Sequence, residues 1–315
     1  IDGKDGQPVE RAAVLIQGDK IKEVGPEEKV VPPEGANVQE FNYDSSTVLP
    51  GLVDCHVHLI GIGDGRAGDD LVTLPDEVLT LQAARNARTH LYSGVTTVRD
   101  CGAKNRTTLL LRKAVEMGIT PAPRLVLAGR PIAIIGGHLS YFGIEATGET
   151  ECRAAVRQLI KEGVDFIKIT ASGGSTRTSI GPRPSFNIDE LSSICDEAHK
   201  LGKHVAAHCV NSQAMEYVLE SGVDTIIHAV HNDTDGTPAY RPDITEKIAK
   251  QEVFVNPTLH QGRERLWQLE NKLSDSGLTS TEQEEVDNGK KNQEIRWNHV
   301  ARMREEGVKI VCGSD

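Results

Sequence analysis

Several features that would each announce a class of function are missing from this chain. No apolar run approaches the ~18 residues that a membrane-crossing helix needs, so no membrane span is expected. Basic excess is missing too. Against 46 Asp and Glu stand 35 Lys and Arg, a net charge of −11, which argues against general nucleic-acid binding. The six cysteines, at 55, 101, 152, 195, 209 and 312, contain no CxxC pair. That speaks against a zinc ribbon and against a disulfide framework; reduced thiols in the cytoplasm are the expectation. Because the chain opens on Ile1-Asp2-Gly3 without Met, secretion stays open as an alternative. No GxGxxG follows the first strand of the main region, and Gly173-Gly174-Ser175 lacks the lysine of a P-loop. Dinucleotide and phosphate binding are therefore not signalled.

What is present divides into two parts, 1–47 and 48–315. In the first, 12–25 reads as two short strands about a Gly18-Asp19 turn, and 38–41 as a third strand. This is the pattern of part of a small β-sandwich, with its missing partners expected in a segment beyond Asp315. From residue 48 onward short apolar strands alternate with helical stretches, which predicts a parallel α/β architecture. Strands are expected at 48–56, 95–100, 124–128, 165–170, 205–209, 225–229, 253–258 and 309–313. Helices are expected at 76–93, 107–116, 150–162, 188–201, 212–221, 243–250 and across 279–307. Gly94, Gly163, Gly202, Gly222 and Gly307 stand where helices should end. Eight such units fit a (β/α)8 TIM barrel, typically about 250 residues, with an open doubly wound sheet as the competitor. The chain stops at Gly313-Ser314-Asp315 with no closing helix, so the barrel reads as cut after its eighth strand.

Polar residues fall where such a barrel keeps its chemistry, at the C-terminal strand ends. His56 and His58 close the first strand; with one residue between them, both face the same way, about 6–7 Å apart. His208 ends the fifth strand, His228 the sixth, and Asp315 follows the eighth. Each histidine alone could be a hydrogen-bonded core residue. Four imidazoles and a carboxylate converging from four strands instead make a donor set for zinc or a similar divalent ion. Lys168 lies inside the apolar fourth strand, where burying a lone ammonium is costly. Its desolvated amine would have a lowered pKa, and reaction with carbon dioxide would give a carbamate able to bridge two metals.

Together, 50–58, Lys168, His208, His228 and Gly313-Ser314-Asp315 resemble the amidohydrolase superfamily. The stretches 94–100, 136–138, 166–174 and 256–259 resemble its imidazolonepropionase-related branch, which includes Xaa-Pro dipeptidase (prolidase)-like enzymes. The segment 231–238 departs from the usual short loop, which bears on substrate more than on mechanism. The resemblance implies that His56, His58 and Asp315 hold the more buried of two divalent ions, with zinc favoured. His208 and His228 would hold the other, and a carboxylated Lys168 would bridge them. It further implies hydrolysis of an amide or peptide bond by a water held between the ions, with Asp315 as general base. His138, in Gly136-Gly137-His138, is the candidate to orient the carbonyl. Arg177, Arg183, Tyr240 and Arg241 follow strands four and six and are candidates to clamp a free carboxylate, as on a dipeptide. Asp100 is a candidate second partner of a ligand or of Arg99, and part of 261–306 is expected to cover the pocket. Expected partners are a small-molecule or dipeptide substrate and further copies of the chain. The competing functions are hydrolysis of a cyclic amide, lactone or carbamate, mononuclear deamination, and an inactive scaffold.

Overall fold

The computed structural model describes residues 1, 3, 6–43, 45–62 and 68–315; Asp2, in the opening tripeptide, lies outside them. Two compact units divide the chain, Ile1–Leu52 and Val53–Asp315. In the first, β1 (Ala12–Gln17) and β2 (Lys20–Pro26) form an antiparallel hairpin about Gly18, whose left-handed φ of 62° suits the turn. The expected strand at 38–41 is not formed. That stretch is irregular, because among the described residues it finds no strand to pair with.

The second unit alternates strands and helices. In chain order they are β3 (Leu52–Val57), α1 (Asp76–Tyr92), β4 (Val95–Asp100), α2 (Thr107–Glu116), β5 (Arg124–Leu127), β6 (Ile132–Ala133) and β7 (Ile144–Glu145). There follow α3 (Gly148–Glu162), β8 (Ile167–Thr170), α4 (Ile188–Lys200), β9 (Val205–His208), α5 (Ser212–Glu220) and β10 (Thr225–Ile227). The remainder is α6 (Pro242–Lys250), β11 (Phe254–Asn256), α7 (Arg263–Asp275), α8 (Ser280–Glu305) and β12 (Lys309–Ile310). Strand β3 starts only at Leu52, since Pro50 has no N–H to give a ladder. Helix α4 begins on a capping box in which Asn187 and Glu190 satisfy each other's backbone N–H groups, and α8 repeats the device with Thr279 and Glu282.

The strands form two sheets, β3-β4-β5 and β12-β11-β10-β9-β8-β6-β7. Adjacent strands from β9 to β12 pair in parallel, as do β8 with β9 and β4 with β5. Backbone bonds also run between the sheets. Cys55 N–H donates to Cys312 O (2.9 Å) and Asp315 N–H to His56 O (2.8 Å), joining β3 to the β12 end; Asp165 N–H, just before β8, donates to Leu127 O (2.8 Å) of β5. The main core lies between β8–β11 and the helices around them and is built from residues such as Ile167, Ile169, Ile194 and Val255. A second apolar cluster joins β3, α1, β4 and β5. Among the described residues no helix is long and apolar enough to cross a membrane, and the six thiols are free.

Candidate metal centre

The C-terminal turn is built onto β3 by one buried carboxylate. Asp54 accepts from His56 N–H (3.0 Å) and Ser314 N–H (3.1 Å) at Oδ1, and from the Ser314 hydroxyl (2.6 Å) at Oδ2. Gly313 packs where no side chain fits: a Cβ there would stand 2.5 Å from Asn256 Nδ2 and 2.8 Å from His56 Cβ. This close packing seats Asp315 against His56. The surrounding backbone is strained, with left-handed φ at His228 (68°), Ala229 (47°), Thr258 (43°) and Asp315 (61°), none of them glycine.

The side chains then converge. His56 Nε2 lies 3.3 Å from His58 Nε2 and 3.1 Å from Asp315 Oδ1; His58 Nε2 lies 3.6 Å from the same oxygen. His228 Nε2 is 3.8 Å from Asp315 Oδ2, and its ring centroid is 4.6 Å from that of His208. Among the described residues, His56, His58 and Asp315 are a group whose donor atoms all lie within 4.8 Å of one another. His208, His228 and Lys168 line the same cavity of about 230 Å³.

Proton positions follow from the partners. His58 Nδ1–H donates to Gly102 O (2.8 Å), because a carbonyl can only accept, so its Nε2 presents a lone pair to Asp315. His208 Nε2–H donates in the same way to Gly173 O (2.9 Å), which leaves Nδ1 as its lone pair. Burial keeps the rings neutral. It lowers His56 to about 3, depresses His58, and holds His208 and His228 well below the ordinary imidazole value. Burial works against ionisation of Asp315, yet the hydrogen bond with His56 helps hold its carboxyl well below the usual range. Lys168 is 1% exposed, and burial lowers its amine below the ordinary lysine value, with the charges of Cys101 and Asp315 acting the other way. A carboxylate facing an imidazole lone pair is repulsive unless a proton or cation lies between them. This donor set therefore fits a divalent ion.

Residues 47–315 match the amidohydrolase family. The chain belongs to that family. An uncharacterized protein of Mycobacterium tuberculosis is 29% identical over 187 residues, which is 59% of this chain and 45% of that protein. Aspergillus niger ochratoxinase is 26% identical over 259 residues, 73% of this chain and 53% of its own. The chain thus spans about half the length of these curated relatives. The crystal structure of a prolidase complexed with N-methylphosphonate-L-proline superposes with a TM-score of 0.77 at 26% identity, covering 96% of this chain and 73% of that one. The prolidase-like branch fits these similarities.

Around the centre of this amidohydrolase the expected residues divide. His138 lines the cavity; its ring centroid is 4.4 Å from that of His208, and burial lowers it to about 3. Its Nδ1 meets Thr176 Oγ1 at 3.1 Å, and Leu139 N–H donates to the same oxygen. Gly174 lies under the ring face, where a Cβ would come within 2.6 Å. The four substrate candidates are not among the residues lining the cavity. Arg241 is engaged by Glu216 (2.8 Å) and Asp243 (2.6 Å), the Tyr240 hydroxyl by Glu306 (3.1 Å), and Arg177 by Asp70 (3.1 Å). Arg183 gives its backbone to a turn, accepting from Gly173 N–H at 2.9 Å. Asp100 pairs with neither Arg99 nor a ligand side chain. Its oxygens accept from Leu59 N–H (2.8 Å) and Gly102 N–H (3.3 Å), so it shapes the backbone whose carbonyl holds His58. Of 261–306, only Gln261 lines the cavity among the described residues, and its Nε2 donates to Asp315 Oδ2 (3.1 Å). Asp54, Thr176, Thr258 and Gln261 escaped sequence reasoning because nothing in a single sequence separates a polar residue that holds a ligand from one that faces water.

Proposed function

We propose that this chain carries the active site of a metal-dependent hydrolase of amide bonds, prolidase-like in acting on a small substrate. The observation that carries the reading is the lone pair of His58 Nε2 directed at the Asp315 carboxylate beside His56. A closed (β/α)8 barrel is part of the proposal, supported by the backbone bonds that run between the two sheets from β3 to the β12 end and from β5 to the start of β8. His56, His58 and Asp315 would hold one divalent ion and His208 and His228 a second, with a carboxylated Lys168 between them. Ions in such a set supply Lewis acidity and a water of lowered pKa. The chain's own residues supply the rest. Asp315, oriented by Gln261, takes a proton from the attacking water at its carboxylate and returns it to the leaving nitrogen. Donation from the Thr176 hydroxyl to His138 Nδ1 would leave the proton on Nε2, free to steady the oxygen of the scissile carbonyl.

Metal content tests this on the protein that carries the chain, alongside Lys168→Ala and a panel of dipeptides and N-acyl amino acids. About two ions per chain are expected, with Lys168→Ala losing an ion and the hydrolysis together. One ion or none, indifferent to Lys168→Ala, would overturn the binuclear reading; no hydrolysis across the panel with both ions bound would overturn the amidase reading.

A further inference from the structure

On the side of His58 the cavity wall changes character. Ile60, Leu71, Leu74, Leu139 and Phe142 line it. Ile60, Leu139 and Phe142 are buried members of the second apolar cluster, and Leu71, Leu74 and Tyr141 pack against that cluster from its edge. The Phe142 ring centroid is 6.4 Å from that of His58, and Tyr141 meets Phe142 edge-on at 4.7 Å. Three stretches of chain supply these side chains: Ile60 just after β3, the segment from Gly68 to Leu74, and the turn after His138. Most polar groups of the cavity, among them His208, His228, Gln261 and Asp315, come from other elements, while Asp70 and Tyr141 share the stretches that carry the wall. The hydrophobic cluster thus ends on open space beside a charged centre. Apolar surface held against water is unfavourable until a ligand covers it, and an apolar wall with a few convergent polar groups is the usual form of a small-molecule subsite.

We infer that this wall is the specificity subsite of the enzyme, taking an aromatic or branched aliphatic group of the substrate next to the bond that is cleaved. The inference rests on the metal-centre reading above. It makes apolar bulk on the His58 side the feature by which substrates are chosen.

Calorimetric titration of the zinc-loaded protein with methylphosphonate and with phenylphosphonate tests it. Both probes carry the same anionic head and differ in the apolar group. Phenylphosphonate should bind at least about tenfold more tightly, since a well-placed hydrophobic wall discriminates by such factors. Leu71→Ser and Leu74→Ser should shrink the ratio toward one while leaving methylphosphonate affinity in place. Equal affinity of the two probes in the unmutated protein, or a ratio that neither variant moves, would overturn the subsite and leave the centre standing. Failure of both probes to bind would overturn the centre and the subsite with it.

Discussion

Each imidazole takes its protonation from what its two nitrogens face. Carbonyl oxygens of Gly102 and Gly173 set the tautomers of His58 and His208. His231, outside the centre, is fully buried; its Nδ1 accepts Arg241 N–H at 3.1 Å, so Nε2 carries the hydrogen, and that atom has no partner among the described residues. Burial, with His299 and nearby arginines, lowers it to about 3. Between pH 6.5 and 3 the unfolded chain therefore takes a proton at this position that the folded chain refuses. Stability from His231 is complete above 6.5 and falls as pH drops, by up to about 1.4 kcal/mol per pH unit. Urea midpoints of metal-free protein from pH 7 to 4.5 should flatten by roughly one proton in His231→Gln, and an unchanged slope would refute the assignment. That His56, His58, His208, His228 and Lys168 face one cavity was legible, because their places at strand ends, or inside a strand, repeat a local pattern. The engagement of Arg241 and Tyr240 was not, since beyond the neighbouring Asp243 their partners, Glu216 and Glu306, lie 25 and 66 residues away in sequence.

At the scale of elements, α8 reaches the centre indirectly. Arg296, half-buried, donates from Nη2 to Pro257 O (2.8 Å) and Thr258 O (3.3 Å) just after β11. Thr258 in turn touches His228 Nδ1 at 2.6 Å, and Gln261 N–H donates back to Thr258 O at 3.1 Å. One turn thereby holds His228 through Thr258 and Asp315 through Gln261, with the guanidinium beneath it. Arg296→Gln should weaken cobalt binding, followed by its visible spectrum, by about tenfold, as loss of a residue supporting a ligand does; Arg296→Lys should restore part of it. A fall in thermal stability with unaltered cobalt affinity would show Arg296 to be structural only. The helix-rich stretch 261–306 was legible as excess length, and it was expected to cover the pocket. What it supplies is Gln261 and this support, a distinction that depends on which face of α8 packs inward.

For the whole molecule, four neutral imidazoles, a carboxylate and a buried lysine around one cavity would make a bound ion part of folding as well as of chemistry. A ligand bound only by the folded state stabilises it by about 4 kcal/mol at a thousandfold excess over its Kd. Zinc should therefore raise the calorimetric Tm by on the order of 10 °C over the protein in chelator, and equal Tm values would contradict a built metal site. Alternating strands and helices, the glycines at helix ends and the histidine spacing of β3 are local, and the sequence alone determined them. All five of those glycines adopt left-handed φ, between 71° and 96°. Only the tertiary structure decided which carbonyl takes each imidazole proton, which arginines are already paired, and that an apolar wall stands beside His58. Those contacts join residues such as His58 with Gly102 and Arg296 with Pro257, 44 and 39 positions apart. Hydrophobic periodicity says which face of a segment turns inward, but long-range packing chooses what that face meets.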